Sequence, residues 1–281
     1  MNFLIQQNAA RIRHYVELFV DEIKHRASLA PRTYDGRILV NSFPKAGTHL
    51  LESILRKFPG LHCPMHRTLR IAADDHCRKL CALRSGTFRT GHLPYTKELE
   101  TLINKTGIHH LFLIRNPPNV IVSQIRYLTE QHRTNPYSKY FLACTSRTQQ
   151  IQLVIKGNEA FKGLGERLQA YRPWLDNGPV RILRFEELMQ ALHTADRNYF
   201  QQLLDFIGMS IDDEVLAQAL DRARAQPGLT FSGSVSNDWG EHYNSETLSL
   251  YEDHVLEQAV AFGYREMPRG SRKENLSSNS P

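Results

Sequence analysis

The sequence predicts an α/β protein with a central parallel sheet flanked by helices. Two observations carry the prediction. Short apolar runs of strand length lie in "RILVNSF" (37–43), "IHHLFLI" (108–114) and "PVRILR" (179–184). Each is followed within a few residues by a segment of helical period. Strands alternating with helices form parallel sheets, and such sheets bind ligands at the carboxyl ends of their strands.

The first unit, "ILVNSFPKAGTHLLESIL", reads as strand, tight loop and helix, with Leu50, Leu51, Ile54 and Leu55 at helical spacing. A loop of this kind offers unpaired backbone N–H groups and the positive end of a helix dipole, which together attract an anion. Lys45 adds a full positive charge, Thr48 a hydroxyl, and Gly47 close backbone approach. The loop is P-loop-like. It departs from the nucleotide-triphosphatase pattern because the lysine precedes the glycine in Lys45-Ala46-Gly47-Thr48.

A Cys/His/Arg-rich helical stretch comes next, then "TFRTGHLPY" as a strand broken by Pro94. The strand at 108–114 meets a Pro-Pro turn and a helix from about Asn119. Residues 137–176 are mostly helical in period, interrupted near Gly157 and Gly163. "SIDDEVLAQALDRARAQPG" is a punctuated helix with Ser210 as N-cap, Asp213 three residues on and Pro227-Gly228 as its stop. The last helix ends near Gly263, and the Ser/Asn-rich basic residues beyond Arg265 read as a disordered tail. The segments are therefore an amphipathic helical stretch at 1–35, one α/β domain at 36–265 and the tail at 266–281. No internal repeat is found.

With 281 residues, 41% hydrophobic and 23% charged, the chain has the composition of a soluble globular protein. No apolar run reaches the roughly 20 residues a membrane span needs. The first 26 residues scatter charges among their hydrophobic positions, unlike a signal peptide, so a cytoplasmic location is expected. Ile12, Tyr15, Val16, Phe19, Val20 and Ile23 share one helical face, which suits packing on the parent domain or peripheral contact with a membrane.

The formal charge of +6 and pI near 9.2 favour an anionic ligand. Nucleic acid is not expected, because the basic residues are dispersed and no DNA- or RNA-binding signature is present. Cys63, Cys77, Cys81 and Cys144 form no disulfide framework. Cys63, His66, Cys77 and Cys81 match no standard zinc spacing. No strand ends in an acidic residue placed to hold magnesium beside the loop, so no metal is expected and cationic side chains must neutralise the anion.

Taken together these residues resemble the sulfotransferases that use 3′-phosphoadenosine 5′-phosphosulfate. That family's loop, Pro-Lys-Ser-Gly-Thr, is similar to Pro44-Lys45-Ala46-Gly47-Thr48. Its arginine in Arg-Asn-Pro, followed eight residues on by a serine, matches Arg115-Asn116-Pro117 and Ser123. Its histidine before Leu-Pro matches His92-Leu93-Pro94. Weaker echoes are "SNDWGEHYNSET" (236–247) and "RFEEL" (184–188), so the likeness runs in order from about Arg37 to Tyr264. The departures are three. Phe231-Ser232-Gly233 stands where the family has Arg-Lys-Gly, His49-Leu50 where a tryptophan is common, and Phe185 where a tyrosine can bond the base.

The resemblance implies transfer of a sulfuryl group from the phosphosulfate nucleotide to an acceptor hydroxyl by in-line displacement. His92 would be the base, and Lys45 would stabilise the oxygen bridging phosphate and sulfate. Pro44, Ala46, Gly47, Thr48 and His49 would line the 5′-phosphate side, Arg115, Ser123 and Gly233 the 3′-phosphate, and Phe185 the base. The acceptor pocket would draw on residues 61–83, Tyr95 and 128–145, which leaves a glycan, a lipid-linked group or a phenol open. Two other readings are a non-catalytic binder of adenosine bisphosphate and a P-loop kinase. The sequence is silent on oligomeric state.

Overall fold

The computed structural model describes residues 34–64, 68–70, 75–225 and 242–265, together with Val16, Val20 and Ile23. Those three are helical and exposed. The remainder of the amphipathic face, His66, the Pro227-Gly228 stop, Gly233 and the tail lie outside the described residues.

In chain order, β1 (Arg37–Ser42), α1 (Thr48–Leu55), β2 (Leu69–Arg70), α2 (His76–Cys81), β3 (Thr87–His92), α3 (Lys97–Thr106) and β4 (His109–Ile114) come first. They are followed by α4 (Pro117–Arg126), a π-helical turn (Tyr127–Gln131), α5 (Ser138–Leu142), α6 (Arg147–Lys156), β5 (Gly157–Asn158), β6 (Phe161–Lys162) and α7 (Leu164–Tyr171). A 3-10 turn (Arg172–Leu175) precedes β7 (Val180–Arg184), α8 (Phe185–Thr194), α9 (Arg197–Phe206), α10 (Asp213–Ala225), α11 (Ser245–His254) and α12 (Leu256–Ala261). Described residues within Met1–Arg115 and Ala170–Val235 form one compact unit; those within Asn116–Gln169 and Ser236–Pro281 form a second.

The first unit holds a five-stranded sheet in the order β2-β3-β1-β4-β7, with every neighbouring pair parallel. A parallel sheet buried on both faces needs continuous apolar strands. Leu39, Val40, Phe88, Leu111, Phe112 and Leu113 supply them, each fully buried. Helices flank the sheet: α1 packs on β1, α8 on β7, and α10 on both α1 and α8. Phe112 stacks on Tyr171 with ring centroids 5.9 Å apart, and Trp174 meets His110 edge-on at 4.5 Å. After β3 the chain crosses β1 to add β4 and β7 on the other side. The carboxyl end of β1 is therefore a topological switch point, where open α/β sheets form their ligand crevice.

In the second unit α4 starts with proline at its first position, where a missing N–H costs nothing. It packs on α6, which also meets α11. Ser146 caps α6 by accepting from the Gln149 N–H, and Asn244 and Thr247 form a reciprocal capping box on α11. The break expected near Gly157 and Gly163 is a two-residue-strand hairpin, β5 with β6. A Cβ on Gly163 would sit 2.4 Å from the Ile155 carbonyl oxygen, so the chain turns there only with glycine.

Three boundaries differ from expectation. The stretch after α1 contains the edge strand β2 as well as a helix, because Leu69 and Arg70 pair with Gly91 and His92. The helix expected from Ser210 begins at Asp213; its first turn closes on the Asp212 carbonyl, which accepts from the Leu216 N–H at 2.9 Å. After Arg126 the helix continues as the π turn, which sequence period does not announce. No helix among the described residues is long and apolar enough to cross a membrane.

Candidate functional site

Four strand ends of the first unit carry the residues that the sequence singles out. Lys45 to Thr48 follow β1, His92 ends β3, Arg115 follows β4 and Phe185 follows β7. The register makes them neighbours, since Asn41 pairs with Gly91, Ser42 with Leu113, and Ile114 with Arg184.

The loop turns tightly, the Ala46 N–H donating to the Phe43 carbonyl at 3.0 Å. Lys45 has φ of 71° and Gly47 has φ of 103°, so two residues in three are left-handed. A lysine held there is strained by about 1–3 kcal/mol, a cost usually met where a loop serves a ligand. Gly47 is the N-cap of α1 and supplies no side-chain capping bond. The N–H groups of the first turn of α1 therefore take no side-chain capping bond and lie at the positive end of the helix dipole.

Lys45 is half-buried. Burial, and then the charge of Arg115, lower its pKa to about 8, which marks a site short of negative charge. The Arg115 guanidinium carbon lies over the Phe185 ring, 4.2 Å from its centroid, with Nη1 directed at the Lys45 carbonyl oxygen 3.5 Å away. Phe185 in turn covers Gly47, where a Cβ would come within 2.4 Å of the ring. The two cations are thus placed by stacking and backbone contact, and the strand ends gather positive charge where an anion would be held.

His92 is half-buried beside this loop. Its Nδ1 lies 3.1 Å from the Ser42 carbonyl oxygen, which can only accept, so Nδ1 carries the proton and Nε2 holds a lone pair. Burial, followed by the charges of Arg70, His49 and Lys45, lowers the ring's pKa to about 4 against the raising effect of the Ser42 bond. The imidazole is neutral at pH 7 and able to accept a proton at Nε2.

Two further residues complete the arrangement. Asn41 is fully buried, and its amide donates to the Leu93 carbonyl at 2.9 Å. Its oxygen accepts from the Leu93 N–H at 2.9 Å and the Ser42 N–H at 3.0 Å. This clamp ties the His92-Leu93-Pro94 corner to β1, and the Trp174 indole N–H also reaches the Leu93 carbonyl, at 3.0 Å. Ser42, also fully buried, places Oγ 2.6 Å from Thr48 Oγ1 and 3.1 Å from His92 Nδ1. Neither residue was among the sequence candidates. The signal was an Asn-Ser pair ending an otherwise apolar strand. Replacing Asn41 by alanine should lower the unfolding free energy by roughly 2–4 kcal/mol, because the buried Leu93 N–H is left unpaired; urea denaturation measures it.

Pro44 is half-buried and Ala46 fully buried within the loop. His49 points outward with its side chain 61% exposed, Nδ1 3.6 Å from the Glu52 carboxylate. Ser123 is half-buried on α4 in the second unit. Among the described residues no three His, Cys, Asp or Glu side chains gather where a metal could sit.

A five-stranded parallel sheet flanked by helices, with a tight strand-to-helix loop at its switch point, defines an α/β protein of the P-loop-like three-layer class. Among solved structures the chain is similar to mouse sulfotransferase SULT7A1 complexed with PAP, with a TM-score of 0.61, 16% identity, and 84% of this chain and 92% of that chain covered. The chain has the fold of that sulfotransferase. No protein-family model matches it, and no curated protein sequence does.

Proposed function

We propose that the protein is a sulfotransferase taking 3′-phosphoadenosine 5′-phosphosulfate as donor and an alcohol as acceptor. The observation that carries the reading is the Nδ1 bond of His92 to the Ser42 carbonyl, which leaves Nε2 as a base beside a cationic loop. A protein that only binds a bisphosphate has no need of a neutral, oriented imidazole there.

The residues present suit the donor: the uncapped first turn of α1, Lys45 and Thr48 for the 5′ side, and the planar Arg115 for the 3′-phosphate. The donor supplies the sulfuryl group. As the acceptor oxygen bonds to sulfur and the bond from sulfur to the phosphate oxygen breaks, Nε2 of His92 takes the hydroxyl proton. The Lys45 ammonium stabilises the charge gathering on the leaving phosphate. An anion on the loop also offsets the Lys45 and His49 charges that depress His92, and so makes it a stronger base. Exposed Val16, Val20 and Ile23 favour an acceptor presented at a membrane surface, such as a glycan or lipid-linked alcohol.

The test is calorimetric binding of adenosine 3′,5′-bisphosphate against adenosine diphosphate, repeated on Arg115→Ala. Wild type should prefer the bisphosphate by about 10- to 100-fold, the value of charge-assisted bonds to the 3′-phosphate, and the variant should lose that preference. Equal binding of the two nucleotides by wild type would sink the donor assignment. The kinase reading has less support, because Arg115 stands where a metal-holding carboxylate would be needed.

A further inference from the structure

We infer that Ser42 is a positioning residue through which an anion on the loop orients the base. The inference rests on the reading of His92 as that base. A hydroxyl donates one hydrogen bond, and Ser42 Oγ has two acceptors within reach: Thr48 Oγ1 at 2.6 Å and the Gly91 carbonyl at 3.4 Å. It also lies 3.1 Å from His92 Nδ1, whose proton is shared between Oγ and the Ser42 carbonyl.

The direction of the chain is fixed by what the Thr48 hydroxyl does. With an anion on the loop, Thr48 donates to it, and its oxygen is free to accept only from Ser42. The Ser42 hydroxyl then turns from the Gly91 carbonyl to Thr48, and its lone pair receives the His92 Nδ1 proton. The chain runs from Nδ1–H to Ser42, to Thr48 and to the anion, every member donating once. Without the anion Thr48 can donate to Ser42 instead, and the Ser42 hydroxyl returns to Gly91. Occupation of the loop therefore strengthens the bond at Nδ1, raises the electron density at Nε2, and holds the ring still for the imidazolium formed after proton transfer. All three side chains belong to the first unit; Ser42 and Thr48 are buried and His92 is half-buried, so the Ser42–Thr48 bond is shielded from water.

The experiment compares wild type, Ser42→Ala and Ser42→Thr as full chains. In Ser42→Ala, kcat should fall about tenfold, the worth of one buried hydrogen bond, while bisphosphate affinity stays within about threefold. The acid limb of the kcat profile should shift, and Ser42→Thr should restore both, because it returns the hydroxyl. Wild-type kcat and acid limb in Ser42→Ala would overturn the inference, as would a loss that Ser42→Thr fails to recover. A second readout needs no turnover and so stands even if the donor assignment fails. In nitrogen-15 histidine spectra, with His92→Gln to assign the ring, inorganic sulfate or adenosine 3′,5′-bisphosphate should move the His92 Nδ1 resonance in wild type and at most half as far in Ser42→Ala. Equal movement in the two proteins overturns it.

Discussion

His92→Ala is expected to lower turnover roughly 10²- to 10⁴-fold, the usual contribution of a positioned general base. Affinity for adenosine 3′,5′-bisphosphate should stay within about threefold. The reason lies in the ring's charge: burial, and then the charges of Arg70 and Lys45, keep it neutral above about pH 4, so its removal takes no positive charge from the anion site. The same facts set the pH profile of kcat/KM. Activity should fall on the acid side as pH drops through about 4, where Nε2 becomes protonated, and on the alkaline side as pH rises through about 8, where free Lys45 loses its proton. Steady-state rates with the phosphosulfate donor and calorimetry with the bisphosphate measure the two halves. Near-normal turnover in His92→Ala would remove the histidine from the chemistry.

Lys45→Met should cost about 10²- to 10³-fold in turnover, by analogy with deleting one preorganised electrostatic donor, and should weaken bisphosphate binding as well. Its effect extends to proton linkage. Free Lys45 titrates at about 8, lowered by burial and by Arg115. A bound anion favours the charged amine and raises that value, so between the two values the complex holds more proton than the free protein. Nucleotide binding at pH 8 should therefore take up about half a proton, and affinity should fall as pH rises further. Calorimetry in buffers of different ionisation enthalpy reads the uptake directly. Lys45→Arg serves as the control: a guanidinium is always charged, so it should recover much of the affinity and none of the proton uptake. Uptake persisting in Lys45→Arg would assign the linkage to another group.

The loop and its neighbours were legible in the sequence because buried parallel strands read as bare apolar runs, and whatever polar residue interrupts their ends stands out. Lys45, His92 and Arg115 were singled out that way, and each sits at a strand end of one sheet. β2 was not legible: two residues carry no alternation, and Leu69 and Arg70 form a strand only because β3 offers an open edge. Asn41 and Ser42 were visible as polar interruptions, but their partners lie about fifty residues away, and no local rule names Leu93 or His92 as the other end of those bonds. Ser210 misled because a serine with an acid three residues on looks like a helix cap wherever it stands, and here no regular structure begins before Asp213.

The ring of Phe185 occupies the space that any side chain at position 47 would need, and the same ring is the platform for the Arg115 guanidinium. Positions 47, 115 and 185 therefore form a single unit of variation. A library that diversifies one of them while fixing the other two would return mostly failures. Recombination between this chain and a protein of the same fold should keep its crossovers from separating the loop glycine, the strand-end arginine and the aromatic residue that fits between them.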